Sequence, residues 1–204
     1  MVCPDEWSVL LVSGPRPFWP YLHEQDNFLV PQSLVCLAAA TLNAGIATRI
    51  IDCMPLKMGY RSLAAKIREL KPRVVAVGEN HALYAHEALK VCAVAKAEVS
   101  GVKTVVGGAH FANTIEIALA DENVDFVVIG EGERSFVNLL REMQSAAPDY
   151  RRVRGIAFHP RQLGGDRNVG PVICTEPEEL IEDLDSLGMP AYDLLPMERY
   201  GRSK

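Results

Sequence analysis

Short apolar runs alternate with longer segments of helical period along most of the chain. The runs cover residues 8–13, 47–52, 73–78, 103–106 and 126–129, and each stops at glycine or a polar turn residue. Runs of this kind, apolar at successive positions rather than every second one, predict strands buried on both faces of a parallel sheet. Between them, residues 31–44 predict a helix stopped by Gly45, because glycine readily takes the left-handed turn that closes a helix. Its Ala38-Ala39-Ala40 stretch lets the helix lie close to a sheet. Residues 61–70 form a second helix that ends before Pro72, since the residue before proline avoids helical backbone. Residues 84–99 form a long helix closed by Ser100-Gly101, and a short helix capped by Asn113 or Thr114 runs to about Asp121. Residues 134–144 close the series.

The interval from one strand to the next, roughly 25–30 residues, suits right-handed crossovers. The fold class expected is α/β, a doubly wound three-layer sandwich around a five-stranded parallel sheet of order 2-1-3-4-5. That order follows if the first helix returns the chain to one side and the later helices carry it to the other. After Pro148 the pattern changes. Residues 155–158 and 172–175 are short strand-like runs flanking Gly164-Gly165-Asp166-Arg167-Asn168, which predicts a β-hairpin appendage. Residues 176–185 are acidic, partly helical in pattern, and read as a solvated face. The end, 199–204, shows no closing structure and reads as a connector cut short, the mark of a fragment of a longer protein. The expected division is an α/β domain over 1–147 and a hairpin with connector over 148–204.

At 204 residues and 49% hydrophobic composition, the chain can bury one good core. A net charge of −5 argues against a nucleic-acid face. No apolar run reaches the roughly 20 residues that span a bilayer, and Met1 to Glu6 lacks the start of a signal peptide. The cysteines Cys3, Cys36, Cys53, Cys92 and Cys174 are scattered without metal-binding spacing. They point to a reducing cytoplasm, with Cys36 and Cys92 as small core residues. No Gly-x-x-x-x-Gly-Lys-Ser/Thr loop and no Ser-His-Asp or Cys-His order is present, so no residue is assigned a catalytic role.

In a doubly wound sheet, ligands bind beyond the carboxyl ends of the strands. Gly107-Gly108 sits there, where the lack of Cβ atoms lets a ligand or a neighbouring backbone approach, or simply makes a sharp turn. Gly130-Glu131-Gly132-Glu133-Arg134-Ser135 nearly matches Gly-x-Gly-x-x-Gly but is a poor dinucleotide site. It follows the fifth strand, its third position is serine, and two glutamates stand where a pyrophosphate would lie. Two readings stay open: carboxylates favoured by the helix dipole, or a crevice wall that contacts neutral, amide-rich or cationic groups. His81 and His110 follow adjacent strands with Glu79 near them, but two loop histidines make a poor metal site and none is assigned. Phe18, Trp19 and Tyr21, in the long loop after the first strand, could cover a flat ligand, dock another domain or simply pack.

Val105-Val106-Gly107-Gly108-Ala109-His110, the later Gly130-Glu131-Gly132-Glu133 with Phe136 and Leu139-Leu140, and the tail Leu184-Asp185-Ser186-Leu187-Gly188-Met189-Pro190-Ala191-Tyr192-Asp193-Leu194-Leu195-Pro196 carry a family pattern. Together they resemble the N-terminal half of cobalamin-binding radical S-adenosylmethionine enzymes, over nearly the whole chain. The resemblance implies a flavodoxin-like cobalamin domain. Its corrin would lie over the strand ends near the loop 14–30, and its nucleotide tail would thread between sheet and helices. The cofactor contacts so implied are Ser13 and Gly14 after the first strand, Glu79 and Asn80 after the third, Gly107, Gly108 and Ala109 after the fourth, and Gly130, Glu131 and Gly132 after the fifth. Related domains often have a hydroxyl residue where Glu79 stands. No Asp-x-His-x-x-Gly frame is present, so no histidine from that motif would ligate cobalt. The Cys-x-x-x-Cys-x-x-Cys motif is also missing. A 4Fe-4S cluster and S-adenosylmethionine would therefore belong to a radical barrel of the same parent chain, the implied partner. The parent chemistry would be methyl transfer or ring-forming oxidation, as in the anaerobic magnesium-protoporphyrin IX monomethyl ester cyclase group. The competing readings are a degenerate domain of this fold serving as a structural or docking module without cofactor, and an independent flavodoxin-like or receiver module. The last lacks its signatures: Ser13-Gly14 and Gly78-Glu79 supply neither a receiver's acidic cluster nor its phosphoacceptor, and Gly14-Pro15-Arg16-Pro17 is a poor flavin phosphate loop.

Overall fold

The computed structural model describes residues 8–16, 29–164 and 170–201. The aromatic loop residues Phe18, Trp19 and Tyr21, Cys3 and the hairpin tip 165–169 lie outside them. Five parallel strands form the centre: β1 (Ser8–Ser13), β2 (Ala47–Asp52), β3 (Val74–Gly78), β4 (Lys103–Gly107) and β5 (Phe126–Val128). Their order is β2-β1-β3-β4-β5, as the crossover argument predicts. Successive side chains of a strand point to opposite faces. Thus Val9 and Leu11 join one core and Leu10 and Val12 the other. The first core is covered by α1 (Gln32–Asn43) and α6 (Gly132–Met143) through Leu34, Val35, Ala38, Phe136 and Leu140. The second is covered by α2 (Tyr60–Leu70), α3 (Ala85–Glu98), α4 (Ala109–Ala112) and α5 (Ile115–Ala120) through Leu63, Ile67, Val91, Ala95, Phe111 and Leu119.

The C-terminal hairpin is present and extends the sheet. β6 (Ile156–Phe158) pairs antiparallel with β5, and β7 (Ile173–Cys174) pairs with β6, so the sheet has seven strands. All three residues of β6 are fully buried. Phe158 packs with Phe126 and Tyr150 at ring-centroid distances of 5.8 and 5.9 Å, and those two rings stand 4.7 Å from each other. Asp125 pins the other end of the joint: it accepts from Thr104 N at 2.8 Å, from Gln162 Nε2 at 2.8 Å and from Lys96 Nζ.

Three sequence expectations need revising. Residues 176–185 are not helical apart from the first residues of a short 3-10 turn at Leu184–Leu187, because their backbone is engaged elsewhere: Gly155 N donates to Glu176 O and Arg154 Nε to Pro177 O. Cys36 is half-buried on the flank of α1 rather than in the core, whereas Cys92 is fully buried. The end of the described chain is closed. The segment 187–200 runs along α1 and then onto β2, with Asn43 Nδ2 donating to Leu187 O, Ala191 N to Val35 O, and Tyr200 Oη to Asp52 Oδ2 at 2.8 Å.

Candidate functional site

A cleft of about 570 Å³ opens at the carboxyl ends of β3, β4 and β5, on the face that carries α1 and α6. This lies within the usual range of small-molecule pockets, about 300–1,000 Å³. Leu34 and Leu37 of α1 form one wall, Val128 and Phe136 the opposite one, and residues 177–180 the outer side. The floor exists because neighbouring strands end in glycine: Gly78 pairs in register with Gly107. A Cβ at Gly78 would stand 3.7 Å from Leu34 Cδ2, and one at Gly107 would stand 3.6 Å from Val128 Cβ. Side chains at either position would occupy the space between α1 and the sheet.

Seven of the ten residues singled out from the sequence line this cleft: Asn80, Gly107, Gly108, Ala109, Gly130, Glu131 and Gly132. Gly132 begins α6, and a Cβ there would lie 3.5 Å from Leu37 Cδ1 and 3.8 Å from Val128 Cγ1. Glu131 is the N-cap of α6 but makes no side-chain cap hydrogen bond; its exposed carboxylate stands at the cleft mouth with that of Glu133. Gly108 serves a different need. Its φ is +93°, and a Cβ would stand 2.6 Å from Glu79 O and 2.7 Å from Asn80 Oδ1. The β4 turn and the β3 loop touch through this glycine, and Ala109 N donates to Asn80 Oδ1 at 2.9 Å.

Ser13, Gly14 and Glu79 do not line the cleft. The Ser13 hydroxyl hydrogen-bonds the Asp52 carboxylate. Gly14 lies against α3, where a Cβ would meet Val91 Cγ2 at 3.0 Å. Glu79 turns inward: Oε1 accepts from Asn80 N and His81 N, both at 2.9 Å, and Oε2 pairs with the Arg16 guanidinium at 3.3 Å. Arg16 in turn lies 3.9 Å over the Tyr84 ring. Glu79 therefore shapes the loop that presents Asn80. His81 pairs with Glu79, and His110 packs edge-on against Phe111. Among the described residues, no three of His, Cys, Asp and Glu gather to hold a metal.

Beside the cleft, above β1 and β2, the buried Asp52 carboxyl is pushed up from its ordinary pKa by loss of solvent, opposed by hydrogen bonds from Tyr200 and Ser13. Sequence reasoning missed Leu34 and Leu37 and took Phe136 as part of a family pattern but not as a wall of the site, because all three look like any core residue of an amphipathic helix. It also passed over Gly78 as a strand end and residues 177–180 as a solvated face. Two strands that both end in glycine are the signal that could have found the floor.

Against known proteins, a family model described as B12 binding domain matches residues 20–140. An uncharacterized methyltransferase, PH0819, from Pyrococcus horikoshii is 30% identical over 154 residues, covering 74% of this chain and 31% of its own length. The anaerobic magnesium-protoporphyrin IX monomethyl ester cyclase of Cereibacter sphaeroides is 32% identical over 176 residues, covering 83% of this chain and 27% of its own. The chain thus spans about a third or less of these relatives. In fold it is similar to the radical S-adenosylmethionine methyltransferase TsrM from Kitasatospora setae, solved with cobalamin and a 4Fe-4S cluster, at a TM-score of 0.65 and 16% identity, covering 88% of this chain and 30% of that one. The cobalamin-dependent S-adenosylmethionine radical enzyme OxsB, solved with aqua-cobalamin and S-adenosylmethionine, gives 0.65 and 15%, covering 87% and 23%. Both likenesses confirm the flavodoxin-like α/β fold. With more than half of its residues matched by the family model, the chain belongs to the B12-binding domain family.

Proposed function

We propose that this chain holds cobalamin for a radical S-adenosylmethionine enzyme, with the nucleotide tail in the cleft and the corrin over the strand ends. The observation that carries the reading is the glycine floor: Gly78, Gly107 and Gly132 leave a channel between α1 and the sheet that side chains there would fill. Leu34, Leu37, Val128 and Phe136 fit an apolar heteroaromatic base, and Asn80 at the mouth fits the amide-bearing rim of a corrin. Bound cobalamin would supply redox and group-transfer chemistry at cobalt. The chain's own residues would bind, orient and exclude water. The lack of an Asp-x-His-x-x-Gly frame supports a cobalt without a histidine ligand from that motif.

The 4Fe-4S cluster, S-adenosylmethionine and the substrate site would reside in a radical barrel of the same parent chain. The docking of Tyr200 on Asp52, at the carboxyl end of β2, supports this by leading the described chain to the corrin side of the sheet. Methyl transfer or ring-forming oxidation is the parent activity the relatives favour. A cytoplasmic location fits the four free thiols at Cys36, Cys53, Cys92 and Cys174, and no described helix is long and apolar enough to cross a membrane.

The test is to mix the purified chain with hydroxocobalamin, remove free cofactor by gel filtration and record the visible spectrum. Co-elution with a spectrum lacking histidine ligation is expected, unchanged by His110→Ala. A colourless protein, with the parent enzyme colourless as well, would leave the degenerate docking module as the better reading; the inward turn of Glu79 away from the cleft is the feature that favours it.

A further inference from the structure

The geometry points to residues 177–180 as part of the cofactor site, with Leu180 in contact with the apolar base of the bound tail. This rests on the reading that the tail occupies the cleft. The strap lies outside the stretch matched by the family model, which ends at residue 140, yet it forms the cleft's outer wall. It is a fixed wall. Upstream, Thr175 N donates to Ile156 O at 2.9 Å and Gly155 N to Glu176 O at 2.8 Å. Arg154 Nε donates to Pro177 O at 2.9 Å. Downstream, Ile181 is buried, at 8% exposure. Gly155, at φ +69°, permits the close approach: a Cβ there would stand 3.3 Å from Glu178 Cβ and 2.3 Å from Ser135 Oγ.

Between these anchors Leu180 is 77% exposed while lining the cleft. A leucine held there between two fixed points gains by being covered. The walls available to the occupant, Leu37, Phe136 and Leu180, are apolar on three sides. That surface suits a methylated benzimidazole-type base, which brings no exocyclic amine to be stripped of water. The acidic rim of Glu178 and Glu179 directs the anionic phosphate of the tail away from the strap.

The experiment measures hydroxocobalamin and cobinamide, the corrinoid without the nucleotide tail, on the wild-type chain and three variants. Covering a leucine contributes enough that Leu180→Ser should weaken cobalamin binding about tenfold or more, with cobinamide binding and the thermal midpoint unchanged. Leu180→Met should keep wild-type affinity. Leu184→Ser, at a residue also open to solvent but outside the cleft, should change nothing. Cobalamin binding unchanged in Leu180→Ser, or cobalamin and cobinamide weakened alike, would overturn the assignment. A wild-type chain and a parent enzyme that both bind neither corrinoid would instead overturn the reading of the cleft.

Discussion

Gly107 and Gly108 are adjacent and chemically identical, yet the structure gives them opposite tolerances for a single methyl group. At Gly108 the backbone stands at φ +93° and ψ 169°, a region that is essentially glycine-only and costs an L-residue about 1–3 kcal/mol. The added Cβ would also stand 2.6 Å from the Glu79 carbonyl oxygen. That oxygen is backbone, so relief requires moving the β3 loop. The loop is held by two hydrogen bonds to Glu79 Oε1 and by Ala109 N donating to Asn80 Oδ1. Giving up one or two of these adds about 1–2 kcal/mol. Gly108→Ala should therefore cost about 2–5 kcal/mol, which for a domain of this size lowers the melting midpoint by roughly 4–20 °C. Gly107 has no positive φ, and its Cβ would rest 3.6 Å from Val128, an ordinary contact. Gly107→Ala should leave the midpoint unchanged or raise it slightly, because alanine narrows the unfolded ensemble by about 0.4–1 kcal/mol. Thermal unfolding followed by circular dichroism, with urea titration at one temperature, reads both. A Gly108→Ala midpoint within about 2 °C of wild type, or an equal fall in Gly107→Ala, would refute the argument from backbone contact.

Gly132→Phe should abolish cobalamin binding in a folded protein, because its ring would enter between Leu37 and Val128 without backbone strain; retained affinity on gel filtration would place the tail elsewhere. Asp52, its pKa raised by burial, binds a proton more tightly in the folded than in the unfolded state, where its value is about 3.8. Stability from this group is therefore greatest at low pH and is lost as pH rises through the folded pKa, so urea midpoints of wild type should fall relative to Asp52→Asn across that window, and parallel curves would contradict this. Thiol labelling mapped by mass spectrometry should modify exposed Cys174 first, while Cys53 and Cys92, both pushed up to about 12 by burial, react only on unfolding.

The five parallel strands were legible because each announces itself twice, as a continuous apolar run and as the polar or glycine turn that ends it. What the sequence could not show depends on contacts between distant positions. β6 is three residues long, too short for any period, and its burial comes from pairing with Phe126 and Val128. Glu79 reads as an exposed loop carboxylate; only the fold brings Arg16 to it across 63 positions and turns its oxygens to its own loop. Tyr200 finds Asp52 across 148 positions. Gly107 and Gly108 differ only in φ and in which atoms stand opposite them. Acidic composition made 176–185 look solvated, and its glutamates are largely so; the cleft is lined by the residues between its anchors.

The joint between β5 and β6 bears on where this unit can be cut. Composition changes after Pro148, and a boundary after residue 147 follows from the sequence pattern. Removing 148–204 would strip β6 from β5 and leave Ile129 N, which donates to Gly155 O, without its partner. It would also bare Phe126, which packs against Tyr150 and Phe158, and open the cleft along its outer wall. Tyr150, Val153, Ile156 and Phe158 are all nearly fully buried. At about 1.5–3 kcal/mol for each large side chain, their loss approaches the whole stability of a typical domain, about 5–15 kcal/mol. The structure therefore favours treating 8–201 as one folding unit. A chain ending at 147 should be insoluble or show no cooperative melt, whereas one ending at 201 should melt in a single transition. A chain ending at 147 that unfolds cooperatively near the full-length midpoint would show that the hairpin is the appendage its short strands suggest.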